Sequence, residues 1–279
     1  MEQVLQTPVR RAYASTGLGQ VHYRQTGAGE PLVLLHQVPS SSAAFEPIMT
    51  RIAHRFHVIA LDLPGFGMSD PPPQACQISD YAERIFAALQ SMGIKRFSVF
   101  GHHTGAAIAV EIAARYPQHV AKLILNGIPY FQVSFEELAK RLPALYAPVV
   151  FRPDGSHLMD VWTAIAELIR KAHSGALNKQ LLALIQSEVL AKLVSGNSHL
   201  TAYTAVFNYD IMERLPRVQA PTLLVTGELD ALLANQSIAA ARVGKSRSKV
   251  IPGGSFYTTY LDADSLAQAI LSFFDSSSE

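Results

Sequence analysis

The chain has 279 residues, of which 49% are hydrophobic, so it can bury a large core within one principal domain. Its 23 basic and 22 acidic residues leave a formal net charge of +1, which gives no electrostatic reason to expect nucleic acid or an anionic membrane as a partner. We therefore expect a small-molecule substrate, no nucleic acid and no membrane contact, with a homodimer left open.

The cysteine content and the N-terminal sequence bear on localisation. Cys76 is the only cysteine, which excludes an internal disulfide and a cysteine-cluster metal site. Residues 1–16 lack an apolar signal core, and no uninterrupted apolar run is long enough to cross a bilayer. Together these observations predict a cytoplasmic protein.

Short apolar runs bounded by Gly, Pro or Asp alternate with helical patterns along most of the chain. Residues 20–25 alternate in polarity like a half-exposed strand. The runs typical of buried parallel strands are residues 32–35, 57–61, 97–100, 120–125 and 222–226. Residues 81–92 form an apolar helical face that ends at Gly93. This order predicts an α/β fold with a mostly parallel, doubly wound sheet and a site at the carboxyl ends of the strands.

The strand pattern stops between Pro129 and Tyr209. Residues 135–142, 161–172 and 177–193 have helical patterns separated by Pro, Gly and Ser. We expect an inserted helical cap, or lid, at residues 129–209, and a core made of residues 1–128 and 210–279.

The segment Gly101-His102-His103-Thr104-Gly105 lies between a predicted strand and an apolar helical run at residues 106–115. This is the strand-turn-helix context of the G-x-S-x-G nucleophile elbow, in which the glycines allow close packing and the apex side chain is raised into a pocket. His103 is at the apex, and Thr104 is expected to start the helix rather than to act as a nucleophile.

On these residues the sequence resembles the α/β-hydrolase superfamily over almost its whole length. Further segments similar to the family are the oxyanion segment at 34–40, the next loop at 62–69, the acid-bearing strand at 221–230 and the loop at 251–257. The resemblance implies an α/β-hydrolase fold with a cap. It also implies an oxyanion hole formed by the backbone N–H groups of Val38 and Thr104, with Asp230 as the acid.

Three residues depart from the family pattern. His103 is at the nucleophile position, Phe256 is at the position of the usual catalytic histidine, and Gln37 replaces the glycine that commonly follows the oxyanion-segment histidine, His36. The Ser-His-Asp mechanism is therefore not available, because it needs a hydroxyl nucleophile and a separate imidazole base. No shift of the alignment restores it, since no histidine follows His199.

The remaining catalytic candidates are His103 and Asp230. A carboxylate within reach of His103 Nδ1 would orient the ring and raise its basicity as a general base. Direct attack by the imidazole as a nucleophile is the less favoured alternative, because no second base would help to hydrolyse the acyl-imidazole.

Several further residues are expected around the pocket. His36 and His102 fit buried, hydrogen-bonded groups better than metal ligands, because no carboxylate or cysteine nearby completes a ligand set. Gln37 is placed beside them, and Phe256 and Tyr257 are expected to line an apolar wall. We predict no metal and no cofactor.

These residues lead to two functional hypotheses. The first is a cofactor-independent enzyme acting on a small, largely apolar organic molecule, either by hydrolysis of an ester, lactone or C–C bond or by base-catalysed lyase or isomerase chemistry. The second is a catalytically inactive pseudo-hydrolase that binds or senses a small ligand. The fold alone does not choose between them.

Overall fold

The sheet has the predicted architecture. The computed structural model describes residues 8–141, 146–173 and 177–276. Within them, eight strands form one sheet in the order β1-β2-β4-β3-β5-β6-β7-β8, in which the β1–β2 and β2–β4 pairs are antiparallel and all the other pairs are parallel. The strands are β1 Arg10–Thr16, β2 Gly19–Thr26, β3 Glu30–Leu35, β4 Phe56–Leu61, β5 Phe97–His102, β6 Val120–Asn126, β7 Thr222–Gly227 and β8 Ser246–Ile251.

Helices cover both faces of this sheet. They are α1 Glu46–Ile52, α2 Ile78–Ser91, α3 Thr104–Arg115, α4 Phe135–Arg141, α5 Ser156–Ala172, α6 Lys179–Ser195, α7 Ser198–Phe207, α8 Ile211–Arg214, α9 Leu233–Ala240, α10 Thr258–Leu261 and α11 Ala263–Asp275. One apolar cluster packs α2 and α3 against the sheet, and a second packs α1 and α11. In the described ranges, no helix has both the length and the hydropathy needed to span a bilayer.

Every predicted strand is present, but β1 and β8 were not predicted. They are the two edge strands, and β8 has an exposed run of polar residues in place of a buried apolar one. Because each edge strand pairs on one side only, the buried-strand pattern does not develop in its sequence.

Helices α4 to α7 lie between β6 and β7, in the part of the chain where the strand pattern stops. Residue 142, the end of the first predicted helix there, lies outside the described residues. A third apolar cluster packs α5 and α6 together and includes Tyr257, which comes from the loop after β8. The helices of this segment are therefore anchored to the edge of the sheet where the strands end.

Two glycines allow α3 to approach the strands closely. A Cβ on Gly101 would lie 2.2 Å from the carbonyl oxygen of Gly105, and a Cβ on Gly105 would lie 2.1 Å from the carbonyl oxygen of Leu35. Both contacts are with backbone, which cannot move aside as a flexible side chain can. The turn from β5 to α3 thus requires small residues at both positions.

We expect Gly105→Ala to lower the free energy of unfolding by about 1–3 kcal/mol, because the added methyl group overpacks the turn. Gly244→Ala is the matched control, since a Cβ there meets no atom within 4 Å. Chemical denaturation of both variants checks the prediction. Equal stabilities for the two variants would contradict it.

Candidate active site

The apex of the elbow has a strained backbone. His103 has φ 49° and ψ −109°, and it is the one non-glycine residue with positive φ in the described part of the chain. Its N–H donates to the carbonyl oxygen of Asn126 at 2.9 Å, and its carbonyl oxygen accepts from Ala106 N–H at 2.7 Å. α3 begins at the next residue, Thr104, as predicted. Strain of this kind persists only where the surrounding structure fixes the residue, as it commonly does at functional sites.

Asp230 follows β7 and reaches the ring of His103. Its Oδ2 lies 2.8 Å from His103 Nε2, and its Oδ1 accepts from Leu232 N–H at 2.9 Å. The side chains are 13% and 1% exposed for His103 and Asp230 respectively. The two side chains are thus in contact, but through Nε2 and not through Nδ1, the nitrogen expected from the sequence. β6 separates β5 from β7, so only the end of the ring farther from the backbone spans the gap.

The charge of Asp230 sets the tautomer of His103. Burial alone would raise the pKa of Asp230, but the charge of His103 and hydrogen bonds from His103 and Leu232 outweigh it and lower the pKa to about 2. An ionised carboxylate can only accept hydrogen bonds, so Nε2–H must donate. Nδ1 then carries the lone pair, and it has no hydrogen-bond partner among the residues that the structure describes.

Neighbouring groups hold the ring in place. A Cβ on Gly127 would lie 2.4 Å from both Cδ2 and Nε2 of His103, so this edge of the ring faces Gly127 and the Nδ1 edge is directed away. Phe256 packs edge-on against the ring with centroids 4.4 Å apart. The loop that resembles the histidine-bearing loop of the family thus places an aromatic side chain against the imidazole.

His102 is completely buried beside this pair. Burial holds its pKa well below the usual value, so the ring is neutral. Neither ring nitrogen has a hydrogen-bond partner within the described ranges, and its ring lies 4.8 Å from that of His103 and 5.3 Å from that of Phe256. It packs against the rings of His103 and Phe256 and does not line the cavity.

His36 joins two loops below the site. Its Nδ1–H donates to the carbonyl oxygen of Gln37 at 2.7 Å, and its Nε2 accepts from Leu63 N–H at 2.9 Å. Both ring nitrogens are therefore used, and neither is available to a metal or a substrate. Gln37 is also buried, and neither residue lines the cavity.

The backbone N–H groups of Val38 and Thr104 are candidates for an oxyanion hole. Both residues line the cavity that contains His103, and neither N–H donates to another group within the described residues. Tyr203 OH donates to the carbonyl oxygen of Val38 at 2.6 Å, which fixes the loop that carries this amide. Two free donors therefore border the same cavity as the histidine.

The cavity has a volume of about 330 Å³ and a mainly apolar wall. It is lined by Val38, Pro39, His103, Thr104, Pro129, Phe131, Leu138, Tyr146, Leu168, Ala172, Glu188, Tyr203, Val206, Leu229, Asp230, Ala231, Leu232, Phe256 and Tyr257. Phe256 and Tyr257 are in the wall, as predicted. Such a space suits a small, largely apolar molecule.

Sequence reasoning missed Glu188 and Ser40. Glu188 lies on α6, and its Oε1 accepts from Ser40 Oγ at 3.0 Å. Burial raises the pKa of Glu188 to about 7, against the opposing effect of hydrogen bonds from the side chains of Ser40 and Gln37. Residues 181–193 also contain Gln186, Ser187 and Lys192, so nothing in the sequence distinguishes Glu188 from an acid on the solvent-facing side of a helix.

A metal centre has no visible ligand set. In the described ranges, no group of three or more His, Cys, Asp or Glu side chains is arranged to hold a metal ion. Cys76 is buried, and burial raises the pKa of its thiol, which disfavours a thiolate.

Comparisons with known proteins identify relatives of this chain. The chain is 28% identical over 275 residues to 2-(acetamidomethylene)succinate hydrolase of Mesorhizobium japonicum, covering 91% of each chain. It is 26% identical over 215 residues to (E)-2-((N-methylformamido)methylene)succinate hydrolase of Acinetobacter baylyi, covering 75% of this chain and 76% of that one.

A solved structure shares the fold. The enol-lactonase from Burkholderia xenovorans LB400 superposes with a TM-score of 0.77 at 17% identity and covers 95% of this chain and 100% of its own. The profile of the α/β-hydrolase fold family matches residues 30–262. The chain therefore belongs to the α/β-hydrolase family.

Proposed function

We propose that this protein is a cofactor-independent hydrolase of small, largely apolar esters or lactones, with His103 as general base and Asp230 as the residue that orients it. The observation that carries the proposal is the bond from Nε2–H to Asp230, which leaves Nδ1 with its lone pair. A base of this kind needs no hydroxyl nucleophile on the elbow.

The proposed reaction uses water as the nucleophile. Nδ1 of His103 takes a proton from a water molecule while the water oxygen attacks the substrate carbonyl, and the imidazolium that forms is stabilised by Asp230. The tetrahedral intermediate then expels the alkoxide, which takes the proton back from Nδ1. The products are a carboxylic acid and an alcohol, and His103 returns to its neutral form.

The negative oxygen of the intermediate would be stabilised by the N–H groups of Val38 and Thr104. Both border the cavity and have no acceptor in the described part of the protein. Donors positioned in advance at a developing oxyanion contribute strongly to acyl transfer. We further propose that residues 129–209 act as the cap of this site, since Glu188 and Tyr203 of this segment line the same cavity.

Hydrolysis is preferred to lyase or isomerase chemistry because the relatives reported above are named as hydrolases. The same base and oxyanion donors would also support proton abstraction next to a carbonyl, so the products of the reaction must separate the two. A protein that only binds its ligand would give no product.

His103→Ala and Asp230→Asn are each expected to lower kcat for ester hydrolysis by about 10²–10⁴-fold, the usual contribution of a general base. In the second variant the asparagine amide can donate to Nε2, which favours the wrong tautomer. The measurement is steady-state hydrolysis of phenyl acetate and dihydrocoumarin, with products identified by mass spectrometry. His54→Ala and Asp275→Asn, at exposed positions, are the controls.

Activity unchanged in His103→Ala would reject the proposed role of this residue. Products isomerised or cleaved without addition of water would assign the site to lyase or isomerase chemistry, and no turnover across esters, lactones and β-diketones would favour the binding protein. An acyl adduct on His103 in quenched single-turnover samples would assign it the role of nucleophile.

Gly127→Ala tests whether the position of the ring matters. Both Gly127 and Gly155 have positive φ, at 70° and 74°, so alanine strains the backbone similarly at the two positions. Only the Cβ at position 127 meets the imidazole. We expect kcat/KM to fall by about 10²-fold or more in Gly127→Ala and to stay near the wild-type value in Gly155→Ala. Equal activities in the two variants would show that the ring position is not critical.

The stability contribution of Asp230 should depend on pH. Its pKa is lowered from the ordinary 3.8 to about 2 in the folded protein, so the contribution is complete above the unfolded value and is lost as the pH falls through the folded value. Between about pH 4 and pH 2, wild type should lose roughly 2 kcal/mol of unfolding free energy that Asp230→Asn does not lose. Denaturant titrations at stepped pH measure both. Parallel curves for the two proteins would contradict the dyad.

A further inference from the structure

Glu188 connects the helical segment to the oxyanion loop. It lies on α6, its side chain is buried with 6% of the residue exposed, and Oε1 accepts from Ser40 Oγ at 3.0 Å. Ser40 follows Val38 and Pro39, whose side chains border the cavity. A buried carboxylate therefore lies against the loop that carries one of the proposed oxyanion donors.

When Glu188 is ionised, its charge has no ionic partner among the described residues. The two acids of the cavity wall are Asp230 and Glu188, and Asp230 is paired with His103. Glu188 makes no ion pair with any described residue, and the wall contains no Lys or Arg among the described residues. The undescribed segments 142–145 and 174–176 contain no basic residue in their sequence. A bound carboxylate would therefore meet negative charge without compensation.

The surroundings of Glu188 leave it able to bind a substrate. Ser40 Oγ–H donates to Oε1, and the side chain of Gln37 gives the carboxylate a second hydrogen bond, so its two oxygens keep further acceptor capacity. A carboxylate oxygen can accept more than one hydrogen bond, and a buried acceptor gains most from a donor. A hydroxyl or amide N–H of a molecule in the cavity would supply that donor.

We infer that Glu188 determines the substrate class of this site: it accepts a hydrogen bond from a hydroxyl or amide N–H of an uncharged, otherwise apolar substrate and disfavours carboxylates. The inference rests on the proposed function only in taking this cavity as the substrate site. It separates this protein from the two relatives whose names identify them as hydrolases of substituted succinates.

Three ketones that are not hydrolysed test the inference by binding alone. 4-(Hydroxymethyl)acetophenone carries a neutral donor, 4-ethylacetophenone replaces the hydroxyl with a methyl group, and 4-acetylbenzoate replaces it with an anion. For wild type at about pH 8.5, where Glu188 is ionised even with its pKa raised to about 7, we expect the hydroxymethyl ketone to bind about tenfold more tightly than the ethyl ketone, and 4-acetylbenzoate to bind at least about tenfold more weakly than the hydroxymethyl ketone. Dissociation constants come from isothermal titration calorimetry.

Two variants separate the effect of the charge from that of the acceptor. Glu188→Leu should abolish the preference for the hydroxymethyl over the ethyl ketone, because the acceptor is removed. Glu188→Gln should increase the affinity for 4-acetylbenzoate by about tenfold, because the repulsion is removed and an amide donor is added. Glu167→Gln, an exposed acid on α5, should leave all ratios unchanged.

The inference is overturned if wild type binds 4-acetylbenzoate as tightly as the hydroxymethyl ketone, or fails to bind the hydroxymethyl ketone. It is also overturned if Glu188→Leu and Glu188→Gln keep the wild-type ratios. Because none of the probes is turned over, these outcomes do not depend on catalysis. If His103→Ala loses activity but binds the three ketones with the wild-type ratios, the proposed function is supported. The role of Glu188 is decided by the ketone ratios alone.

Discussion

The hydrogen bond from His103 Nε2 to Asp230 Oδ2 is the interaction on which the account of this site depends. It joins residues 127 positions apart that follow β5 and β7, two strands separated by β6, and it fixes both the tautomer and the direction of the imidazole. The positive φ of His103 raises its side chain from the elbow, Gly127 leaves room for the Cδ2–Nε2 edge, and Phe256 packs against the ring. Sheet order, backbone strain and the absence of a side chain at one glycine thus act together to position a single imidazole.

Under the proposed function, this arrangement explains how the fold would retain a base without the usual triad. In a Ser-His-Asp site the imidazole lies between the carboxylate and the hydroxyl. Here the imidazole is on the elbow itself and contacts the carboxylate directly. The position of the separate histidine can therefore hold an apolar side chain, Phe256. The oxyanion donors are backbone groups and do not depend on which side chain is at the apex. A different mechanism is therefore compatible with the same sheet, helices and loops.

Much of the fold was predictable from the sequence, because buried parallel strands are apolar on both faces and are bounded by turn residues. The edge strands β1 and β8 were missed since they lack that pattern. The pair of His103 and Asp230 was predictable from the family resemblance, but the contacting nitrogen was not, because it depends on distances across the sheet. Glu188 could not be placed because an acid on a helix faces solvent in most proteins, and only the packing of α6 over the cavity buries it.

The most direct test of the account is the protonation state of His103 in solution, read from the ¹⁵N chemical shifts of its ring nitrogens in imidazole-labelled protein, with His103→Ala used for assignment. Where the ring is neutral, the account predicts that Nε2 carries the proton and shows a one-bond coupling to it, while Nδ1 has the shift of an unprotonated nitrogen. In Asp230→Asn this preference should weaken or reverse. A proton on Nδ1 in wild type, with Nε2 unprotonated, would contradict the central claim.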